Sequence, residues 1–249
     1  MHTDPESRTF QPDIYEKVLK FLPDCQGGEV LDLGAGQGFL SRKLKDIGYA
    51  VRACDIDQEN FRCPDIPFSC ADLNDRFPFP DDYYACVVSI EVIEHIENHF
   101  RFMAEAFRVT RPGGLIIITT PNVMSLPSRL HFLLYGFTDC APVPIDPGRP
   151  DYFMEHINPI SLPELLFHIE RNGGELISLF SNRIRSGSWL PMLFLYPIMA
   201  VALRLKLLRK KHRGSWDRHR QYIKWMLKPA GLMGRISIIV ARKTNRPPV

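Results

Sequence analysis

Glu91, Glu94 and His95 stand at i, i+3 and i+4 in Glu91-Val92-Ile93-Glu94-His95-Ile96, and a second histidine, His156, lies in Tyr152-Phe153-Met154-Glu155-His156-Ile157. If the first segment turns as a helix, its three side chains share one face. Two carboxylates and two imidazoles would suit a divalent Mg, Mn, Zn or Fe ion, with Glu91, Glu94, His95 and His156 as ligands. The same residues also fit a site without metal, in which His95 is a general base, Glu91 faces a bound ligand and Glu94 lies on a solvated helix face. His99, His131 and His168 fall on predicted helices and read as surface or core residues.

Those side chains need a scaffold, and its start is visible upstream. Val30-Leu31-Asp32-Leu33 reads as a buried strand, and Gly34, Gly36 and Gly38 follow it at alternate positions. Glycines there let the backbone turn sharply and approach a ligand without a Cβ in the way. The helix that follows would offer its first N–H groups and its dipole to a polar or anionic group. Asp55 closes the next apolar run, Val51-Arg52-Ala53-Cys54, about 20 residues on, where an acid reads ribose hydroxyls in doubly wound folds. Adenosine is therefore the expected ligand. The dinucleotide pattern is G-x-G-x-x-G, but here the third glycine comes one place early and Phe39 follows it, which argues against NAD or FAD.

Asp32 ahead of a G-x-G-x-G turn resembles motif I of the class I S-adenosylmethionine-dependent methyltransferases. The later segments fall in that superfamily's order: Phe68–Leu73 as a third strand, Tyr84–Ile90 as a fourth, a helix near 97–110, then a loop and fifth strand in Arg111–Thr119. The resemblance covers residues 28–122 well and 156–180 more loosely. It implies an α/β fold, a doubly wound, mostly parallel seven-stranded Rossmann-like sheet with a helical insertion before the last, antiparallel strand. S-adenosyl-L-methionine is the cofactor it implies. Gly34, Gly36 and Gly38 would border its methionine and ribose, and Asp55 would take the ribose hydroxyls with Ile56 against the adenine face. Asp72 would accept from the adenine amine, with Leu73 beside the ring. Asp32, at the root of the loop, would orient it. Ordinary strand-end turn chemistry is the competing account of Asp55 and Asp72.

The E-x-x-E-H pattern with a distant histidine resembles metal-dependent O-methyltransferases, including ubiquinone-pathway and small-RNA 2′-hydroxyl enzymes. The expected activity is methyl transfer to oxygen of a small or lipid-linked acceptor at the cytoplasmic membrane face, with Glu91, His95 and His156 as the catalytic residues. Two alternatives stay open: an N- or C-methyltransferase of the same fold, and a non-catalytic cofactor-binding adaptor.

A chain of 249 residues, 45% hydrophobic, fits one domain with additions: a core over 12–182, an insertion over 183–230, and a last strand and tail over 231–249. Residues 12–22 and Leu126–Leu134 read as helices, and Ser161-Leu162-Pro163-Glu164 reads as a capped helix start. Leu176–Phe180 and Ile236–Ala241 would be strands six and seven. The proline-rich loop from Gly136 to Pro150 is expected to form part of the acceptor pocket. Six cysteines without C-x-x-C spacing, three of them in predicted core strands, and the absence of a signal-peptide pattern at Met1–Glu6 suggest a cytosolic protein.

Charge divides the chain sharply. Residues 1–175 hold 15 Lys and Arg against 27 Asp and Glu, whereas residues 176–249 hold 16 against Asp217 alone. An acidic catalytic half makes nucleic acid an unlikely partner, since phosphates need positive residues where the polymer lies. Trp189 to Leu203 carries no charge, and Arg204 to Arg213 holds six Lys or Arg. As helix, those uncharged positions reach roughly 22 Å, short of the ~30 Å hydrocarbon core. Pro191 and Pro197 argue against one straight helix. The expectation is a helix pair lying on an anionic membrane surface through 189–228; packing over the sheet or against a second subunit is the alternative.

Overall fold

The computed structural model describes residues 12–22, 28–138, 140, 155–184, 189–208 and 223–247. Seven strands, β1 (Val30–Leu33), β2 (Val51–Asp55), β3 (Phe68–Cys70), β4 (Tyr84–Ile90), β5 (Thr110–Pro121), β6 (Gly174–Ser181) and β7 (Ile236–Lys243), form one sheet. Their order is β3-β2-β1-β4-β5-β7-β6. Strands β1 to β5 pair in parallel, and β7 runs antiparallel to both β5 and β6. The strand order reverses between β1 and β4. That reversal opens a crevice at the carboxyl ends of the two strands, where ligands bind in such sheets.

Apolar residues alternate across the central strands and build a core on each face. On one face Leu31, Leu33 and Val87 meet Phe102 and Met103 of helix α3 (His99–Val109) and Leu165 and Ile169 of α5 (Leu162–Arg171). On the other, Val30, Cys86 and Val88 meet Ile14 and Val18 of α1 (Pro12–Leu19) and Leu40 and Leu44 of α2 (Phe39–Asp46). Local caps set the helix starts. Asn98 Oδ1 accepts from the Arg101 amide at 3.0 Å, and Ser161 Oγ accepts from the Glu164 amide at 3.4 Å.

Two elements depart from the sequence expectation. Strand β3 ends at Cys70, before Asp72, because Asp72 opens a turn: its Oδ1 accepts from the Asn74 amide at 2.8 Å. Cys70 is therefore exposed on an edge strand, while Cys54 and Cys86 are buried. In the insertion, Trp189–Leu208 form one continuous helix, α6, with Pro197 inside it, and residues 223–226 are again helical; residues 209–222, where the second helix of the expected pair would begin, lie outside the described residues. Pro191 is tolerated because it sits in the first turn, where amides lack intrahelical partners. The expected acceptor-pocket loop, 136–150, lies mostly outside the described residues.

Helix α6 belongs to a small third core. Its Met192, Leu195 and Met199 pack around Leu126 of α4 (Leu126–Tyr135) and Leu232 and Met233 of α7 (Pro229–Met233). Asn122, buried at the end of β5, anchors this unit: its Nδ2 donates to the carbonyls of Gly231 and Gly234, each at 3.0 Å. Asn122→Ala leaves those carbonyls unpartnered and should cost about 1–3 kcal/mol in urea unfolding. A loss within experimental error would show that α7 is held by apolar contact alone.

Candidate active site

The loop after β1 owes its shape to its glycines. Gly34, Gly36 and Gly38 have φ of 72°, 51° and 85°, a region that disfavours residues with a Cβ. A Cβ on Gly34 would lie 2.3 Å from Val92 Cγ2, so the loop presses directly on the turn that follows β4. A Cβ on Gly36 would meet nothing within 4 Å and would project into open space. The two positions thus differ: Gly34 is small for packing, and Gly36 leaves room for a ligand.

Asp55 holds this loop from the next strand. Its Oδ2 accepts from the Gly36 amide at 2.7 Å and its Oδ1 from the Asp57 amide at 3.0 Å. Each carboxylate oxygen has a second lone pair, so a diol can still be bound. Ile56 is 55% exposed, a bare apolar face beside that carboxylate, while Leu73 is buried. Asp72 is exposed and accepts both Asn74 bonds, amide and side chain, through Oδ1. Asp32 is buried and points away from solvent, and it accepts from Ser41 Oγ of α2 at 2.6 Å. Burial pushes its carboxyl up to about 6 against the pull of that hydroxyl. It ties strand to helix at the root of the loop.

The turn after β4 does not form the helix that would align Glu91, Glu94 and His95. Glu91 lies at φ 54°, a conformation that costs a non-glycine residue on the order of 1–3 kcal/mol, and only Ile93–His95 turn, as a 3₁₀ helix. Glu91 is pinned by Thr119 of β5: its amide donates to Thr119 Oγ1, and that hydroxyl donates to Glu91 Oε1, both at 3.0 Å. Burial raises the Glu91 carboxyl to about 7. Glu94 is wholly buried, and neither of its carboxylate oxygens has a hydrogen-bond partner of good geometry. Burial, then the Glu91 charge, push it well above the ordinary carboxylate range.

Residues 155–158 close over this turn. The Asn158 amide donates to the Glu94 carbonyl at 3.0 Å, and Asn158 Nδ2 donates to the Ile96 and Glu97 carbonyls, each at 3.1 Å. His95 Nδ1 lies 2.8 Å from the Glu155 carbonyl, and His156 Nδ1 bonds the Cys140 carbonyl. A carbonyl only accepts, so both rings carry a proton on Nδ1, and a neutral ring then has its lone pair on Nε2. The two rings meet edge to face with centroids 5.1 Å apart. Ligand atoms of Glu94, His95 and His156 all lie within 4.8 Å of one another. Glu91 is left outside that group. Thr119 and Asn158, which fix the arrangement, carry no signal in the sequence beyond their polar type. Of the other histidines, His99 and His168 are buried and His131 bonds the Phe137 carbonyl.

The donor set fits a divalent ion. A buried carboxylate without partners needs a proton or a cation, and two imidazoles oriented through backbone carbonyls are arranged as metal ligands usually are. Imidazole-rich sets favour Zn, Mn or Fe over Mg. The glycine loop fits S-adenosylmethionine, with open space at Gly36 and a carboxylate at the ribose position.

The comparisons with known proteins agree. The family model described as "Methyltransferase domain" matches residues 31–118. A probable S-adenosylmethionine-dependent methyltransferase of Mycobacterium tuberculosis is 29% identical over 193 residues, 72% of this chain and 68% of that protein. A ubiquinone biosynthesis O-methyltransferase of Rickettsia typhi is 30% identical over 116 residues, 44% of this chain and 47% of that protein. Across the curated relatives first matched, the shared stretch spans between 40% and 70% of their own lengths. In fold, the chain is similar to a SAM-dependent methyltransferase from Archaeoglobus fulgidus, with a TM-score of 0.59 and 18% identity over 95% of this chain and 96% of that one.

Two outcomes follow. Gly36→Ala should weaken S-adenosylhomocysteine binding at least about tenfold in calorimetry and cost only the roughly 1–2 kcal/mol of a left-handed alanine, whereas Gly34→Ala, which carries the same backbone cost and also forces Val92 to move, should lower stability further. Equal effects on binding and stability at both positions would contradict the division of roles. Between the ordinary carboxylate value of 4.5 and about 7, the folded chain holds a proton on Glu91 that the unfolded chain has released. Stability in chelator should therefore fall as pH rises through that window, and Glu91→Gln should flatten the fall; an unchanged slope would contradict the shift.

Proposed function

We propose that this chain, which belongs to the class I S-adenosylmethionine-dependent methyltransferases, methylates an oxygen of a small or lipid-linked acceptor held at Glu94, His95 and His156, at the cytoplasmic face of a membrane. One observation carries the oxygen reading: the buried carboxylate of Glu94 converges with the rings of His95 and His156, one ligand atom of each lying within 4.8 Å of the others. The name of the Rickettsia relative supports an oxygen acceptor of the quinone kind.

The bound donor supplies a methyl group made electrophilic by its sulfonium. Transfer is an in-line displacement, so the chain must hold an acceptor lone pair on the S–CH₃ axis. Gly36 leaves room for the donor, Asp55 would take its ribose hydroxyls, and Val92 packed on Gly34 fixes the spacing to Glu94 and His95. A hydroxyl acceptor must also lose its proton. His95 and His156 can receive it at Nε2, since their Nδ1 protons are committed to carbonyls. A divalent cation held by Glu94, His95 and His156 would lower the pKa of a nearby hydroxyl and neutralise the buried carboxylate. Glu91, near neutrality, turns toward Thr119 and acts on Glu94 by its charge.

Calorimetric titration with Mn²⁺ or Zn²⁺ tests the site without the acceptor. Wild type should bind, His156→Ala should lose at least about tenfold in affinity, and S-adenosylhomocysteine binding should change less than about threefold. Mass spectrometry of the small molecules and lipids that accumulate without the protein then identifies the acceptor, whose methylation should stop in chelator and in His156→Ala. Full turnover under both conditions would point to nitrogen or carbon. Donor binding with no turnover on any acceptor, and no loss of function in Glu91→Ala or His95→Ala, would mark a non-catalytic adaptor.

A further inference from the structure

Helices α4 and α6 bury one side in the third core and leave the other bare. On α6, Met192, Leu195 and Met199 face inward, while Leu193, Phe194 and Ile198 are 69%, 64% and 65% exposed. On α4, Leu133 and Leu134 are 77% and 71% exposed, with Phe132 and Tyr135 beside them. The helices adjoin: Arg129 of α4 donates to the Met124 carbonyl at 2.8 Å and reaches Met199 Sδ of α6 at 3.7 Å. Single exposed leucines are ordinary, but bare apolar faces on two packed helices mark an interaction surface.

Charge selects the occupant. Six Lys or Arg lie between Arg204 and Arg213, where α6 ends and beyond, and Asp217 is the one acid from residue 176 to the last. A second copy would add another such run of like charge to the assembly, with no acid beyond Asp217 in that part of its chain to offset it. An anionic leaflet instead gains about 1 kcal/mol for each basic residue near its surface. No helix among the described residues is long and apolar enough to cross a membrane, so α6 would lie along the surface. We infer that the bare faces of α4 and α6 together form a docking surface for an anionic lipid bilayer, with Leu133, Leu134, Leu193, Phe194 and Ile198 entering the leaflet.

The placement of α4 gives this surface a use. Strands β1, β4 and β5 are parallel, so α4, which follows β5, leaves from the same sheet edge as the glycine loop and the Glu94–His95 turn. Cys140, whose carbonyl holds His156, comes five residues after Tyr135, where α4 ends. A seated α4 therefore ends at the wall of the two-histidine site, and an acceptor with its apolar part in the leaflet can present its polar end there. This delivery rests on the methyl-transfer reading; the docking surface does not.

The test is co-sedimentation of the full chain with vesicles of phosphatidylcholine alone or mixed with phosphatidylglycerol, at low and high salt. Wild type should sediment with the anionic vesicles at low salt and be released by high salt. The double substitutions L133E/L134E and L193E/I198E should each lower the bound fraction about tenfold. S-adenosylhomocysteine affinity within about twofold of wild type would show that both variants are folded, and its loss in wild type would sink the methyltransferase reading while leaving the lipid result standing. Equal recovery in the supernatant with and without anionic vesicles would overturn the proposal. So would vesicle binding that both double substitutions leave unchanged, or a dimer in sedimentation equilibrium that they dissociate.

Discussion

A fully buried carboxylate whose oxygens lack a hydrogen bond of good geometry is the constraint around which this site is organised. Glu94 sits at the carboxyl edge of the sheet, where the chain has brought a second carboxylate, Glu91, and two imidazoles around it. Left ionised and alone, such a group would be costly to bury. Protonation would relieve that cost, and so would a divalent cation held by Glu94, His95 and His156. The ladder of hydrogen bonds from Asn158 to the backbone of Glu94, Ile96 and Glu97 holds that choice open by keeping His156 in reach. The strained backbone of Glu91, fixed twice by Thr119, keeps the second carboxylate turned aside.

The donor end of the site follows from the sheet. Parallel pairing of β1 with β2 and β4 brings three strand ends together, so the glycine loop, Asp55 and the Glu91–His95 turn share one edge. The Gly36 amide on Asp55 and Val92 on Gly34 then set the distances between them. Donor and acceptor halves are thus coupled through a single loop, with no domain movement needed to join them.

Most of the fold was legible because it rests on short-range signals. The apolar run Tyr84–Ile90 matches β4 residue for residue, and Ser161 caps the helix its pattern announced. What was not legible depends on tertiary contacts. The Glu94–His95 spacing suggested a helical face, but Thr119, distant in sequence, pins Glu91 in a left-handed conformation and shifts the turn by two residues. Pro197 suggested a break, yet packing of Met192, Leu195 and Met199 on α4 and α7 keeps α6 continuous. The bare side of α4 was invisible for the opposite reason. Its sequence reads as a helix without saying which side is buried, and only the exposure of Leu133 and Leu134 shows the bare one. At the glycine loop, residue types alone named the positions, and geometry separated Gly34, which is small for Val92, from Gly36, which is small for a ligand.

The central claim is that Glu94, His95 and His156 form one ligand set. X-ray absorption of the zinc-loaded protein addresses it directly. The zinc should be ligated by two imidazole nitrogens and a carboxylate oxygen, with one imidazole left in His156→Ala; oxygen ligands alone, or a ligand set unaltered by that substitution, would contradict a joint site.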